Sequence, residues 1–589
     1  MKKLLDNLTE ELIKIFDELG YDNKFARVSF SNRPDLCEFQ CNGAMALAKS
    51  LKRPPIEIAG EIAEKLSGNE IFKNVTAVAP GFLNMDLSDR FISDYIREMT
   101  RDEYRFGCDR SIKTRTILID YGGPNVAKPL HVGHLRSAVI GESIKRMGIF
   151  MGNTLIGDVH LGDWGLQMGL IIHELSIRRP DLPYFNQAIT DDYPTEPPFT
   201  ISELEEIYPT ASAKSKEDEK YKAKAMQAVK DLQQGRPGYM ALWQHIIDVS
   251  VNDLKKNYKR LNVSFEVWKG ESDADPYIPE MVRRMKDQGF AHESEGALVV
   301  DVKRDDDTKE IPPCIILKSD GAALYQTTDL ATLVQRENSY HPDDIIYVVD
   351  KRQEMHFTQV FRCARKTGIV PDDTALHFLG FGTMNGPDGK PFKTRDGGIM
   401  RLENLLDDIE DKMYSKVSQN ESIPEDEARD IAAKISVAAV KYGDLSNQAS
   451  KDYIFDPEKF TSFEGNTGPY ILYTMVRIKS ILAKYAEAGG DKADVIIQFP
   501  GSASEKGLML SLAGFNGVIE NAFDELAPHK VCAYVYELAN AFNKFYHETK
   551  ILSEEDEDRK KSYISLINLT LGVLEKCIDV LGFEAPERM

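Results

Sequence analysis

Thr116-Ile117-Leu118-Ile119-Asp120-Tyr121 is an apolar, β-branched run of strand length, and Gly122-Gly123-Pro124-Asn125 ends it with the residues of a turn. Pro129-Leu130-His131-Val132-Gly133-His134 then leads into Leu135, Ala138, Val139, Ile140, Ile144 and Met147, whose spacing predicts a helix from near His134. Strand, glycine-rich turn and helix form the front of a nucleotide-binding unit. A helix N-terminus offers unpaired N–H groups and a partial positive charge, which suits a phosphate chain. Gly133 has no Cβ, so a base or ribose can come against the backbone there. Two imidazoles three residues apart can both donate to phosphate oxygens if protonated or in the right tautomer. Histidines beside a glycine can also simply cap a helix. Zinc is disfavoured, because two ligands at this spacing need partners and none of the seven cysteines is nearby.

Beyond this unit, Leu155-Ile156-Gly157-Asp158-Val159-His160 reads as a second strand, and Leu161-Gly162-Asp163-Trp164-Gly165 as a turn at the carboxyl edge of a parallel sheet, where such folds bind ligands. Ile315-Ile316-Leu317 and Ile345-Ile346-Tyr347-Val348-Val349 read as further strands of that sheet, with a helix between them from near Thr328. Polar residues Asp350 to His356 follow the last of these. Residues 379–401 form a loop containing Asp388-Gly389-Lys390-Pro391-Phe392-Lys393-Thr394-Arg395. It is not a Walker A loop, since Met384 stands where the first glycine should be. Two lysines three apart, followed by threonine and arginine, suit transient contact with a pyrophosphate leaving group, solvated loop lysines being the alternative.

The flanks differ in character. Residues 1 to about 110 read as a small mixed domain: helices over Leu4–Leu19, Asn42–Leu51 and from Ile56 to Gly68, then a strand pair over Val75–Met85 around Pro80-Gly81. From about 171 to 300 the pattern is charged and helical, an insertion in the nucleotide-binding fold whose Lys214-to-Lys224 run is a solvated face. The last part, from about 430, is helical. Tyr470, Tyr473 and Arg477 share one helix face there, and Tyr534, Tyr536, Phe542, Phe545 and Tyr546 form a second aromatic cluster. Such stripes are core in most helices, but tyrosines beside an arginine also stack unpaired bases.

Composition bounds the rest. At 589 residues several cores can be buried, and 42% hydrophobic with 28% charged residues is the balance of a soluble globular protein. No stretch approaches the ~18 apolar residues of a membrane span, and Met1-Lys2-Lys3-Leu4-Leu5-Asp6 turns acidic too early for a targeting peptide. A cytoplasmic location, with no membrane or DNA partner, is expected. The seven scattered cysteines show no disulfide or zinc framework and read as free buried thiols; Cys37 and Cys41, the one close pair, would share a face on a helix. A net charge of −21 argues against general nucleic-acid binding but leaves room for a specific complex through local basic patches.

Six segments, taken in order, resemble the arginyl-tRNA synthetase family of class I aminoacyl-tRNA synthetases. They are Asp120-Tyr121-x-x-Pro124-Asn125-Val126-Ala127-Lys128-Pro129-Leu130-His131-Val132-Gly133-His134-Leu135-Arg136-Ser137, and His160-Leu161-Gly162-Asp163-Trp164-Gly165. After them come Ser319-Asp320-Gly321-x-x-x-Tyr325-x-Thr327-x-Asp329-Leu330-Ala331, the Lys390-to-Arg395 loop, Gly465-Asn466-Thr467-Gly468-Pro469-Tyr470, and Pro586-Glu587-Arg588-Met589. The resemblance implies an α/β protein. Its Rossmann-like parallel-sheet catalytic domain would span 113–410 with an insertion at about 171–300. An N-terminal α+β domain at 1–112 would touch the tRNA elbow, and a helical domain at 411–589 would bind the anticodon.

It also implies a reaction: arginine is activated by ATP with Mg²⁺ to arginyl-adenylate, then passed to the terminal adenosine of tRNA(Arg). His131, His134, Lys128, Lys390 and Lys393 would be the catalytic cations and donors, and His131, Gly133, His134, Lys393 and Thr394 would bind ATP. Asp120, Asn125, Tyr325, Asp329 and Gln353 would hold arginine, an enclosed carboxylate meeting the guanidinium fork. Tyr470, Tyr473, Arg477, Tyr546 and Met589 would meet the anticodon. No dedicated metal site is implied, and a monomer is expected. Two other functions compete: a nucleotidyltransferase of the same fold acting on another acid, and a non-catalytic tRNA-binding relative.

Overall fold

The computed structural model describes all residues except 112, 387, 391–399 and 492–494. The chain divides into two compact units, Ile112–Thr461 with Val580–Phe583, and Met1–Ser111 with Ser462–Asp579 and Glu584–Met589.

The first unit is built on the predicted strand. Thr116–Asp120 (β1), Thr154–Asp158 (β2), Asp344–Asp350 (β3) and Ala375–Phe381 (β4) form a wholly parallel sheet in the order β4-β3-β1-β2. Ile117, Leu118 and Ile119 are buried, as the continuous apolar run of a strand covered on both faces requires. Helix α1 (Val132–Phe150) connects β1 to β2. It packs closely because position 141 is glycine: a Cβ there would lie 2.3 Å from Cγ of Tyr121. Helices α2 (Leu166–Arg178), α3 (Ile201–Glu217), α4 (Glu219–Gln233) and α5 (Pro237–Arg260) follow β2, and the shorter Glu271–Ala274 and Ile278–Asp287 come after them. Helix α6 (Tyr325–Tyr340) precedes β3, and α7 (Glu354–Lys366) follows it. Leu118 and Ile345 of the sheet, Leu330 and Leu333 of α6 and Val360 of α7 share one buried core. Helices Leu402–Val417 and Glu425–Leu445 complete this unit.

One strand assignment is corrected. Cys314–Leu317 does not extend the parallel sheet; it pairs antiparallel with Ala297–Val300, which pairs with Ala291–Ser294. Ile316 is buried while Ile315 and Leu317 are only partly so, the alternation of a one-sided strand. A short apolar run does not reveal which sheet it joins.

In the second unit, antiparallel strands lie in the order Val28–Phe30, Phe39–Cys41, Phe82–Leu87, Phe72–Val78, beside helices Leu4–Glu18, Gly43–Leu51, Pro55–Leu66 and Asp89–Met99. Cys41 therefore sits on a strand, not a helix. All seven cysteines are free and buried. The unit's later helices are Gly468–Glu487, Ala503–Ala513, Phe515–Asp524, Pro528–Glu548 and Glu557–Leu581. Among the described residues no helix is long and apolar enough to cross a membrane.

Candidate active site

The sheet order fixes where a ligand can enter. From β1 the chain runs to β2 on one side and returns to β3 on the other, which opens a crevice at the carboxyl ends of β1 and β3. Ser137 of α1 holds this point together: its hydroxyl accepts from the Gly122 N–H at 2.8 Å and donates to the Val348 carbonyl at 2.7 Å. A cavity of about 960 Å³ lies here. Its lining includes Asp120, Asn125, His131, Gly133, His134, Tyr325, Asp329 and Gln353, from segments more than 200 residues apart.

The two histidines are set by their own backbone. His131 Nδ1 accepts the Gly133 N–H at 3.0 Å, and His134 Nδ1 accepts the His131 N–H at 3.2 Å. With both Nδ1 atoms acting as acceptors, the ring proton of each neutral imidazole sits on Nε2. The rings lie 3.8 Å apart at 31°. Burial, and after it the Lys128 charge, lowers the His131 pKa. Burial, then His131 and Lys128, pushes His134 down to about 3. Both are thus neutral single donors at physiological pH, not imidazolium ions. Gly133 gains a second reason as well: a Cβ there would lie 2.8 Å from the His131 ring, so the glycine lets that imidazole fold over the helix start.

Asp329 lies on α6 one turn after Tyr325, and His356 Nε2 is 2.5 Å from its Oδ2. Asp120 is already engaged, since Arg336, two turns further along α6, donates to Asp120 Oδ2 at 2.6 Å and to Asp158 Oδ2 at 2.8 Å. Burial disfavours the Arg336 charge, but the facing carboxylates hold its pKa well above the usual arginine range.

Glu271 was invisible to the sequence pattern. Residues 267–271 run alongside the end of β2, with the Leu161 N–H donating to Lys269 O at 2.7 Å and the Glu271 N–H to Leu161 O at 3.0 Å. Asp163 secures the turn by accepting from the Ser272 N–H at 3.0 Å and the Ser272 hydroxyl at 2.6 Å. Glu271 consequently lines the cavity. Burial pushes its carboxyl up to about 7, opposed by His160 and reinforced by Asp163 and Asp329.

Lys128 is absent from this lining and borders a neighbouring cavity of about 580 Å³, with its Nζ 4.5 Å from the Tyr208 ring centroid. Ala127, at φ 56° and donating its N–H to Ser250 Oγ at 2.8 Å, turns the chain just before it. Lys390 does not line the cavity either; its N–H donates to Asp388 Oδ1 at 3.1 Å. Lys393 and Thr394 lie outside the described residues. The described chain on either side of 391–399 is tied to the site. Gly382, Thr383 and Met384 line the cavity, and Met400 O accepts the Val132 N–H at 3.1 Å. Arg136, buried in α1, donates to Gly382 O at 2.8 Å and Lys451 O at 2.9 Å and pairs with Asp444 at 3.1 Å.

In the other unit, the Arg477 guanidinium lies 5.0 Å from the Tyr473 ring and 5.1 Å from the Tyr546 ring. Tyr470 donates to Asn540 Oδ1 at 2.7 Å, and Asn543 bonds both Tyr470 and Arg477. Met589 ends the chain half-buried, two residues past Glu587, which accepts from Lys479 at 2.7 Å.

The catalytic-domain model of class I tRNA synthetases (R) matches residues 99–457. The chain belongs to the arginyl-tRNA synthetase family. The arginyl-tRNA synthetase N-terminal domain model matches residues 2–87, and the DALR anticodon binding domain model residues 471–589. An arginine–tRNA ligase of Agathobacter rectalis is 64% identical and one of Alkaliphilus oremlandii 54%, each alignment covering all of both chains. Among solved structures, the arginyl-tRNA synthetases of Plasmodium falciparum (23% identity, TM-score 0.81) and Thermus thermophilus (21%, 0.79) share the fold over the whole of both chains. Arginyl-tRNA synthetases are thus similar to this chain from end to end.

Proposed function

We propose that this protein is an arginine–tRNA ligase. The observation that carries the reading is the meeting, in one cavity, of the Nε2 donors of His131 and His134 with the carboxylates of Asp329 and Glu271. One end suits a phosphate chain, the other a guanidinium.

In the first step the arginine carboxylate attacks the α-phosphorus of Mg-ATP, the bond to the pyrophosphate oxygen breaks, and arginyl-adenylate forms. His131, Gly133 and His134 hold the phosphates, Lys390 and Lys393 neutralise the departing pyrophosphate, and Thr394 offers it a hydroxyl donor. Asp329 and Tyr325 take the guanidinium, with Glu271 as a second carboxylate. Asn125 and Gln353 position the α-amino and carboxyl groups. Asp120 acts with Arg336 at the cavity wall. In the second step the 2′-hydroxyl of the terminal tRNA adenosine attacks the acyl carbon, AMP leaves, and one proton is released. No covalent enzyme intermediate is required. The protein acts in the cytoplasm as a monomer, its N-terminal domain on the tRNA elbow, and Tyr470, Tyr473, Arg477, Tyr546 and Met589 on the anticodon. The test of the chemistry is stoichiometry: one AMP and one pyrophosphate per arginyl ester are expected. Release of ADP and orthophosphate would overturn the nucleotidyl route.

Glu271 gives this reading a pH signature. Protonated below about pH 7, it loses the charge that attracts a guanidinium. The kcat/KM for arginine, which reports the free enzyme, therefore falls toward tenfold per pH unit beneath that point, and Glu271→Gln flattens the profile at its low value. Folding responds with the opposite sign. An unfolded glutamate ionises near 4.5 while the folded one keeps its proton to about 7, so its destabilising effect grows between those values. Glu271→Gln should accordingly raise Tm above pH 7. A parallel pH profile in the variant excludes Glu271 from the pocket.

Tyr473 is 44% exposed, enough to offer a face to a base. Tyr473→Ala should weaken tRNA binding by about 1–3 kcal/mol with the KM values for arginine and ATP unchanged. Lower thermal stability with normal tRNA affinity would return the residue to a packing role.

A further inference from the structure

His160 lines the larger cavity, yet nothing within the protein bonds its ring: among the described residues both Nδ1 and Nε2 are buried without a hydrogen-bond partner. Its backbone, in contrast, is held firmly. The His160 N–H donates to Asp158 Oδ1 at 3.1 Å, and the turn after β1 packs on its carbonyl so closely that a Cβ on Gly123 would lie 2.7 Å from the oxygen. Parallel bridges from Asp158 to Val267 and from Leu161 to Gly270 then bring His160 beside Glu271. The imidazole acts on the ionisation of Asp120, Asp163 and Glu271, which places it among three carboxylates. Two of them are engaged elsewhere, Asp163 by Ser272 and Asp120 by Arg336. A buried polar atom without a partner costs free energy. A ring with both nitrogens orphaned on a cavity wall therefore points to a partner that arrives with the ligand.

A guanidinium carries five N–H donors in a fixed plane. Asp329 and Glu271, taking two each in fork geometry, leave one over. Tyr325 is 73% exposed, so water competes for its hydroxyl. A neutral imidazole, by contrast, keeps one ring nitrogen as an acceptor in either tautomer, and on this wall that nitrogen is shielded from solvent. We propose that His160 contacts the substrate and accepts the guanidinium N–H that Asp329 and Glu271 leave over. The assignment rests on the ligase reading and deepens it, adding an uncharged acceptor to the side-chain pocket. That acceptor is selective. An ammonium has three donors, which two carboxylates satisfy, so the imidazole favours arginine over lysine.

The test measures arginine charging of tRNA by the full chain and by His160→Phe, His160→Gln and His160→Asn, with Tm recorded for each. Phenylalanine keeps a flat ring and removes both nitrogens, whereas glutamine puts an amide oxygen near the Nε2 position and asparagine one near the Nδ1 position. His160→Phe should raise KM for arginine on the order of tenfold, the effect of leaving one desolvated donor unpaired. The KM for ATP and the inhibition constant of lysine should stay the same. One amide variant, the one whose oxygen replaces the accepting nitrogen, should recover most of the loss. An unchanged KM for arginine, an equal rise in KM for ATP, an equal weakening of lysine, or recovery by neither amide would overturn the assignment. If His160→Phe melts below the assay temperature, the two amide variants decide: one near the wild-type KM and the other raised about tenfold is expected, and equal values overturn it. Wild-type protein that charges arginine while any of these contrary results appears leaves the ligase reading standing and removes only His160. Wild-type protein that charges nothing overturns both.

Discussion

Asp329→Asn should lower kcat/KM for arginine by roughly 10²- to 10⁴-fold, the kinetic equivalent of about 3–5 kcal/mol for breaking a desolvated charge pair. Asp329 is one turn from Tyr325 and only 22% exposed at its side chain, so a guanidinium reaching it leaves most of its water behind. The change is nearly isosteric. It removes the charge and one acceptor while leaving room for the ligand. Citrulline, neutral where arginine is charged, supplies the control: inhibition by citrulline should change far less than use of arginine. His356 complicates the site, because its Nε2 already faces Asp329 at 2.5 Å. In the asparagine variant that ring loses its carboxylate partner, so His356→Gln is measured alongside. If Asp329→Asn leaves kcat/KM for arginine unchanged, Asp329 serves the His356 contact and not the substrate.

His134→Ala should reduce kcat for adenylate formation by about 10²–10³-fold with little change in KM for ATP, the pattern for a preorganised donor that strengthens its bond as charge develops. Two conservative variants separate this role from helix capping. Asparagine places an acceptor where Nδ1 stood and so preserves the bond from the His131 N–H, but it offers no donor where Nε2 stood. Glutamine places its amide donor near the Nε2 position. Partial rescue by glutamine and none by asparagine is expected. Rescue by asparagine alone would make His134 a cap. Because burial has already pushed this imidazole down to about 3, no loss of rate from its protonation is expected between pH 8 and 5.

What the sequence displayed and what it hid follow from how far each feature reaches along the chain. The strand at Thr116, the helix after His131 and the turn at Gly162 are local patterns, so periodicity and turn chemistry located them to within a few residues. The helix begins two residues before the expected His134, because His131 itself is the N-cap. Cys314–Leu317 reads as a strand of the parallel sheet yet pairs in the antiparallel one, since pairing partners are not encoded in a four-residue apolar run. Glu271, and the pairing of His356 with Asp329, leave no sequence signal for a related reason. Each is an ordinary polar residue locally and meets Asp329 only after the chain has crossed the sheet. The engagement of Asp120 by Arg336 spans 216 residues and left no trace in spacing. The family resemblance supplied Lys128 as a cation near ATP, and the left-handed turn at Ala127, which sets the backbone just before that lysine, is not a feature periodicity can read.

The most direct test is transfer of labelled arginine to total tRNA with Mg-ATP, beside each of the other amino acids and a reaction without ATP. Charging by arginine alone, abolished without ATP, is the predicted result. Charging by a different amino acid, or tRNA binding with no charging at all, would contradict it: the first by showing that Asp329 and Glu271 select another side chain, the second by showing that the family fold here binds RNA without the chemistry.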